Sequence, residues 1–349
     1  MDHAGRLSGL QDRLERPLLV SRPANLRYLT GFSGSNGYLL VTSARSVLVT
    51  DGRYGEVAGR LVEALPDTDL EVYQGPLWPV MAKLLSDPAE VSLEAAGVTW
   101  SFARRLADEV SAELVPSEGV VEGLRVLKDE EEIEALRRAA QVGDHAFTRL
   151  RELVDRTGTE AELGHALEEA MRERGGENAD WEPIVAAGPN ASLPHYRSGG
   201  EKVGEGLLLL DYGCVVQGYH SDMSRTVWLG SEPDAGWADI HEAVREAQQA
   251  AIAVIEPGVP AREVDRAARE SLGERAEHFV HSTGHGVGLD IHEDPKVSST
   301  SEDVLAAGQV ITVEPGVYRP GEGGVRIEDM VLVTGEGPVV LTASPQALH

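Results

Sequence analysis

The chain has 349 residues, 42% hydrophobic and 26% charged, proportions ordinary for a globular protein long enough to hold two separate cores. Its formal net charge of −27 argues against nucleic acid or an anionic membrane surface as a partner. No run approaches the ~18 apolar residues of a membrane span, and the charge-broken start MDHAGRLSGLQDRLERPLLV is expected to carry no signal core.

Up to about Val120, short apolar runs alternate with helical stretches. Pro17–Val20, Tyr38–Val41 and Ser46–Thr50 are predicted strands, separated by turns such as SGSNG. Helices are predicted near Tyr54–Ala64 and Ser101–Leu114. This alternation describes a small α/β domain over residues 1–125, which ends in the segment SEGVVEGLRVLKDEEE.

A second domain is expected over residues 126–349. Asp129 is placed to cap a helix whose first turn, Glu130–Glu132, is favourably acidic. Ile133, Leu136, Ala140, Phe147 and Leu150 then recur at helical spacing and mark its apolar face. Thr159 to Glu162 reads as a capping box that opens a second helix. A third is predicted from about Ala235 to Ile255, stopping at Pro257-Gly258, with a short one after Pro260. Strands are expected to fill the rest, making this domain α+β. Cys214 is the only cysteine, which excludes an internal disulfide and suits a reducing, cytoplasmic setting.

Five residues on the expected strands carry the chemistry: Asp211, Asp222, His285, Glu314 and Glu328. If DYGCVVQGYHSD is a hairpin turning at Val216-Gln217, Asp211 and Asp222 face one another with Cβ atoms roughly 5 Å apart. Two carboxylates so placed repel unless a cation lies between them. The construction recurs at Glu314 in VITVEPGVY and Glu328 in GVRIEDMVLV, about a turn in PGEGG centred on Gly321. Acids inside apolar strands are hard to explain as solvated faces. His285 lies with His281 and His292 among Gly284, Gly286 and Gly288, in a segment without dinucleotide-fingerprint spacing. A lone histidine is more often structural; three within this Gly-rich segment point to a site. Four carboxylates balance two divalent cations and leave a neutral pair able to hold a bridging hydroxide. This O/N donor set suits manganese, cobalt, zinc or iron without choosing among them.

DYGCVVQGYHSDMSRT, HSTGHGVGLDIHE, ITVEPGVY and GVRIEDMVLVT resemble, in order and spacing, the metal motifs of the pita-bread metallopeptidases. That family includes aminopeptidase P, prolidase, methionine aminopeptidase and the metal-free creatinase. RPANLRYLTGFSGSNGYLLVT and VTDGRY are similar to the creatinase-type N-terminal domain of its Xaa-Pro branch. The resemblance implies a creatinase-like N-terminal domain followed by a pita-bread catalytic domain. It implies two metal ions, manganese foremost, on Asp211, Asp222, His285, Glu314 and Glu328, with Asp222 and Glu328 bridging both. Glu314 would also shuttle the proton from the nucleophilic water to the leaving proline nitrogen. His195 in SLPHY matches a substrate-binding histidine, His292 one that stabilises the tetrahedral intermediate, and His281 one lining the proline pocket. Arg326 matches an arginine that orients the site. Ser224 stands where threonine is usual; the family's threonine bonds the ligand aspartate, and serine keeps the hydroxyl.

The activity so implied is hydrolysis of Xaa-Pro bonds by a cytoplasmic homodimer. A prolidase-like dipeptidase is the first reading, and aminopeptidase P-like action on longer peptides the alternative. Methionine aminopeptidase is disfavoured by the N-terminal domain. A non-catalytic binding protein on the same fold is disfavoured by the intact ligand set with His195 and His292. Tyr318 reads as a core tyrosine, and Cys214 as a small buried residue.

Overall fold

The structure, a computed structural model, describes residues 1–177, 179 and 181–349. The chain divides into two units, Met1–Arg125 and Val126–His349, each with its own apolar core.

In the first unit the three expected runs become β1 (Leu18–Val20), β2 (Gly37–Val41) and β3 (Ser46–Asp51). Leu18, Leu19 and Val20 are all fully buried, the mark of a strand covered on both faces. β4 (Thr68–Tyr73), β5 (Glu90–Glu94) and β6 (Glu113–Ser117) complete a sheet of order β4-β3-β2-β1-β5-β6. The β3–β4 and β5–β6 pairs are parallel, so each needs a crossover, supplied by the helices Gly55–Val62 and Trp100–Glu109. The second helix ends at Glu109, five residues before the expected Leu114. Val110 turns extended, and Glu113–Ser117 gains a full ladder beside β5 that a longer helix would forfeit.

In the second unit, Asp129 accepts from the Glu132 amide at 2.9 Å, and Glu132 accepts from the Asp129 amide at 3.0 Å. This capping box opens the helix Glu130–Thr148. Its inward stripe is centred on Ala135, Leu136, Ala139, Ala140 and Ala146, and Leu150 already belongs to the next helix. The small alanines allow close approach: the Tyr212 hydroxyl donates to the Gly143 carbonyl at 3.2 Å. The Thr159–Glu162 box opens Glu160–Arg172 in the same way. Ala235–Ala253 and Ala261–Leu272 pack Val244, Ala247, Val264 and Ala268 against Ile311, Val313 and Val331. The helix after Pro260 runs for 12 residues and is not short.

Among the described residues the strands form two sheets and two hairpins. β7 (Ile184–Ala187), β8 (Gly206–Tyr212) and β11 (Met223–Leu229) lie in the order β11-β8-β7, with the hairpin β9 (Val215–Val216)–β10 (Tyr219–His220) between β8 and β11 in sequence. β12 (Gly284–Gly286), β13 (Glu293–Val297), β14 (Val310–Val313), β17 (Asp329–Leu332) and β18 (Val339–Val340) form β13-β12-β14-β17-β18. β15 (Gly316–Arg319) and β16 (Gly323–Arg326) form the other hairpin. The unit is α+β, as expected.

Candidate metal centre

Leu207–Leu210 of β8 are all buried, so the strand is held on both faces and delivers Asp211 at a fixed place near its end. The ladder pairs Asp211 with Ser224 and Tyr212 with Met223, so Asp222 lies diagonal to Asp211 and not opposite it as expected. The turn explains the difference. Val216 pairs with Tyr219, and the two residues between, Gln217 and Gly218, have φ of 52° and 81°. Such a turn matches the twist of its strands and favours glycine second, which puts its centre one residue beyond Val216-Gln217. The register therefore moves by two, and because side chains alternate, both aspartates still project to one side.

The other acidic pair has the expected register. Val313 pairs with Asp329 and Gly316 with Arg326, with Gly321 in the connecting turn. Glu314 and Glu328 fall opposite one another in the gap between these two ladders. Their amides turn elsewhere: Glu314 donates to the Thr283 carbonyl at 2.8 Å and Glu328 to the Ser224 carbonyl at 3.1 Å. Only Asp211 and His285 thus lie within strands, while Asp222, Glu314 and Glu328 flank strand ends. That corrects the expectation of five strand residues, and the broken ladders are what tie the separate sheets together here.

Ligand atoms of Asp222, His285 and Glu328 lie within 4.8 Å of one another. His285 Nδ1 is 2.9 Å from the Gly286 carbonyl, an acceptor only, so Nδ1 carries the proton and Nε2 keeps its lone pair. Nε2 faces Asp222 Oδ2 at 3.6 Å and Glu314 Oε1 at 3.4 Å. Burial holds this imidazole's pKa down at about 4, so it is neutral near pH 7, as a ligand must be. Asp211 is held by Arg326, whose Nη2 donates to Oδ2 at 2.5 Å.

Arg326 is buried and touches much of the site. Its Nε donates to Ser224 Oγ at 2.8 Å, and Ser224 Oγ donates to Glu328 Oε2 at 2.7 Å. Ser224 therefore orients a glutamate here, where the resemblance implied an aspartate. Arg326 Nη1 donates to the Tyr318 hydroxyl at 2.8 Å, which is itself 2.8 Å from His281 Nε2. His281 Nδ1 lies 2.8 Å from the Ser282 carbonyl and must donate there, so Nε2 accepts from Tyr318. Tyr318 is a core tyrosine as read, its ring packed with Ala186, Ala191 and Leu209, but its hydroxyl also joins the site; its position after EPGV, two residues into a hairpin shared with Arg326, is the signal that was available.

Behind Glu328, Arg225 is buried too. Its Nη1 donates to the carbonyls of Ser224 (2.9 Å) and Glu328 (2.5 Å), and its Nη2 to Asp329 Oδ1 (2.6 Å) and the Ser344 carbonyl (2.8 Å). The remaining candidates lie at the rim. His292 is exposed on one side, its ring centroid 4.4 Å from that of His285. His195 is exposed in the loop after Ser192 and is among the neighbours, after burial, that hold the pKa values of His281 and His292 down. Cys214 is buried, with its thiol pKa pushed up to about 11 by that burial, which suits no nucleophile.

Whether these residues suit a metal is decided by charge. Burial, then the nearby carboxylates, pushes Asp222 and Glu328 well above the usual carboxylate range. Burial likewise raises Glu314 to about 8. Arg326 is the cation that acts on all three, and one guanidinium cannot balance four acids. Divalent cations would supply the missing positive charge, and oxygen and imidazole donors suit them. The residues fit. Ser224→Ala is expected to weaken metal binding about 10- to 100-fold by titration calorimetry, with Ser224→Thr near the parent. Equal losses in both variants would contradict the orienting role.

Two family models match the chain: metallopeptidase family M24 over residues 134–335, and the creatinase/prolidase N-terminal domain over residues 6–127. The chain is 32% identical over 336 residues to the Xaa-Pro dipeptidase of Pyrococcus furiosus, covering 95% of this chain and 94% of that protein. It is similar to the solved structure of the Xaa-Pro dipeptidase from Bacillus anthracis, with a TM-score of 0.93 and 35% identity over 100% of this chain and 99% of that one. The X-Pro aminopeptidase from Thermotoga maritima is similar with a TM-score of 0.88 and 32% identity, over 99% and 98% of the two chains.

Proposed function

The chain belongs to metallopeptidase family M24, and from that premise we propose that it is a dinuclear-metal peptidase cleaving Xaa-Pro dipeptides. Its α+β pita-bread unit with a creatinase-type N-terminal domain is the fold of the Xaa-Pro branch. The observation that carries the reading is the convergence of Asp222, His285 and Glu328 within 4.8 Å, with Glu314 3.4 Å from the free nitrogen of His285. Asp211, Asp222, His285, Glu314 and Glu328 would hold two divalent cations, manganese foremost, which when bound acidify water and polarise the scissile carbonyl.

The chain's own groups do the rest. The proline nitrogen, like any leaving amide nitrogen, must gain a proton as the bond breaks. Thr312 Oγ1 donates to Glu314 Oε1 at 3.2 Å, which fixes the carboxylate that takes the proton from water and delivers it. Both nitrogens of His281 are engaged within the protein, so this residue offers its ring as a pocket wall, braced edge-on by Phe279 at 4.9 Å. That suits a proline ring. His195 and His292, at the rim, supply donors to the substrate and to the developing oxyanion. Arg326 keeps Asp211 and, through Ser224, Glu328 in place.

The dipeptidase reading leans on the similarity to Xaa-Pro dipeptidases over 95% and 100% of this chain; the aminopeptidase, similar over 99%, keeps the alternative open to test. Purified protein, with its metal content and solution mass measured alongside, is expected to hydrolyse Ala-Pro and leave Ala-Pro-Ala intact. The reverse preference favours aminopeptidase P-like action and overturns the dipeptidase assignment. The same reading carries a homodimer in a reducing cytoplasm, which the solution mass tests in its first part.

A further inference from the structure

His292 has no strand of its own to hold it. It closes the segment 287–292 between β12 and β13, and the pairing there is irregular, with Gly286 opposite Glu293 but His285 opposite Lys296. Something other than a ladder must fix it. The next residue, Glu293, turns its side chain inward, where Oε2 meets Lys128 Nζ at 3.0 Å with the side chains only 1% and 7% exposed. Glu293 Oε1 accepts from the Asp290 amide at 3.1 Å. A Cβ on Gly288 would come within 2.6 Å of Oε1, so the turn is wrapped tightly on this carboxylate. The other side of Gly288 is held by His220, whose amide donates to the Gly288 carbonyl at 2.8 Å.

Lys128 is a rigid anchor. Its amide donates to the Gly308 carbonyl at 2.9 Å, its Nζ also reaches the Val126 carbonyl at 3.4 Å, and the next residue is the capping Asp129. A buried ion pair rarely adds stability over an apolar pair of similar volume, because desolvation offsets the attraction. Stability is therefore a weak reason for this one, whereas fixing a turn is a sufficient reason.

We propose that the Lys128–Glu293 ion pair is a positioning device for His292, holding the turn 288–293 so that the imidazole stays against His285. Its effect on turnover rests on the peptidase reading; its effect on geometry does not. In the metal-loaded protein, Lys128→Met is expected to lower kcat on Ala-Pro about 10- to 100-fold with KM within about two-fold, the scale of a misplaced catalytic group. In a His292→Ala background the same change is expected to cost nothing further, since Lys128 acts through His292. Losses that multiply would overturn the proposal. Because Lys128→Met strands a buried carboxylate and risks misfolding, Lys128→Met with Glu293→Gln removes both charges while keeping the side chain's length. Parental kcat in that double variant would also overturn it. A crystal structure of either variant gives a readout independent of activity. A His285–His292 ring separation about 1 Å or more beyond the present 4.4 Å supports the proposal, and an unchanged one overturns it even if the parent cleaves no Xaa-Pro peptide.

Discussion

Glu314→Ala is expected to abolish Xaa-Pro hydrolysis while leaving the chain folded. Proton transfer by a positioned side chain is worth about 10²–10⁴-fold, and alanine also deletes a carboxylate proposed to hold metal. The backbone at this position does not depend on the side chain: the Glu314 amide is held by the Thr283 carbonyl at 2.8 Å, and the β15–β16 ladder resumes at Gly316. Removing one acid from a cluster of four also relieves repulsion, so the metal-free variant should melt no lower than its parent. The measurement is kcat/KM on Ala-Pro beside a thermal melt and metal analysis. Turnover within about ten-fold of the parent, with the cluster loaded, would sink the assigned role.

Stripping the metal is expected to lower the melting temperature, and by an amount that grows with pH. Glu314 is raised from 4.5 to about 8 by burial, and Asp222 and Glu328 are raised by burial and by the neighbouring acids. A carboxyl whose folded pKa lies above its unfolded one keeps its proton more firmly in the folded chain, so the fold loses stability as pH rises. For Glu314 that loss starts near 4.5 and is complete above about 8. For Glu314 its size is on the order of a few kcal/mol, at about 1.4 kcal/mol per pKa unit. The metal-free protein should therefore melt progressively lower from pH 5 to pH 8, and manganese should restore it. A melt that ignores both chelation and pH would count against a preformed carboxylate cluster.

What could be read in the sequence was what local chemistry determines. The Asp129 and Thr159 caps work through residues three positions away, and both boxes form as expected. The PGEGG turn set the register of Glu314 against Glu328 because its glycine centre is plain in the sequence. In VVQGYH the same logic needed the turn to include Gly218, and reading it one residue early displaced Asp222 by two positions relative to Asp211. The start of the strand Glu113–Ser117 was read as the end of a helix running to Leu114, because only its neighbour β5, some twenty residues earlier, reveals it. The site contact of Tyr318 was missed for a related reason. Its hydroxyl meets Arg326 and His281, and no periodicity distinguishes such a tyrosine from one in the core. Lys128 and Glu293 lie 165 positions apart, beyond the reach of any local signal.

The brace behind Glu328 has a consequence for the order of events during synthesis. Arg225 grips the Glu328 carbonyl and the Ser344 carbonyl with one guanidinium, and Ser224 reaches Glu328 across 104 positions. A ribosome releases Asp211 and Asp222 first, with neither the opposing glutamates nor the segment that closes behind them. Until Ser344 emerges, the growing chain holds acids without their frame, and a cation captured then would have only part of its cage. On this reading the frame of the centre closes only once Ser344 has emerged, through Arg225 and Ser224, neither of which is a candidate ligand.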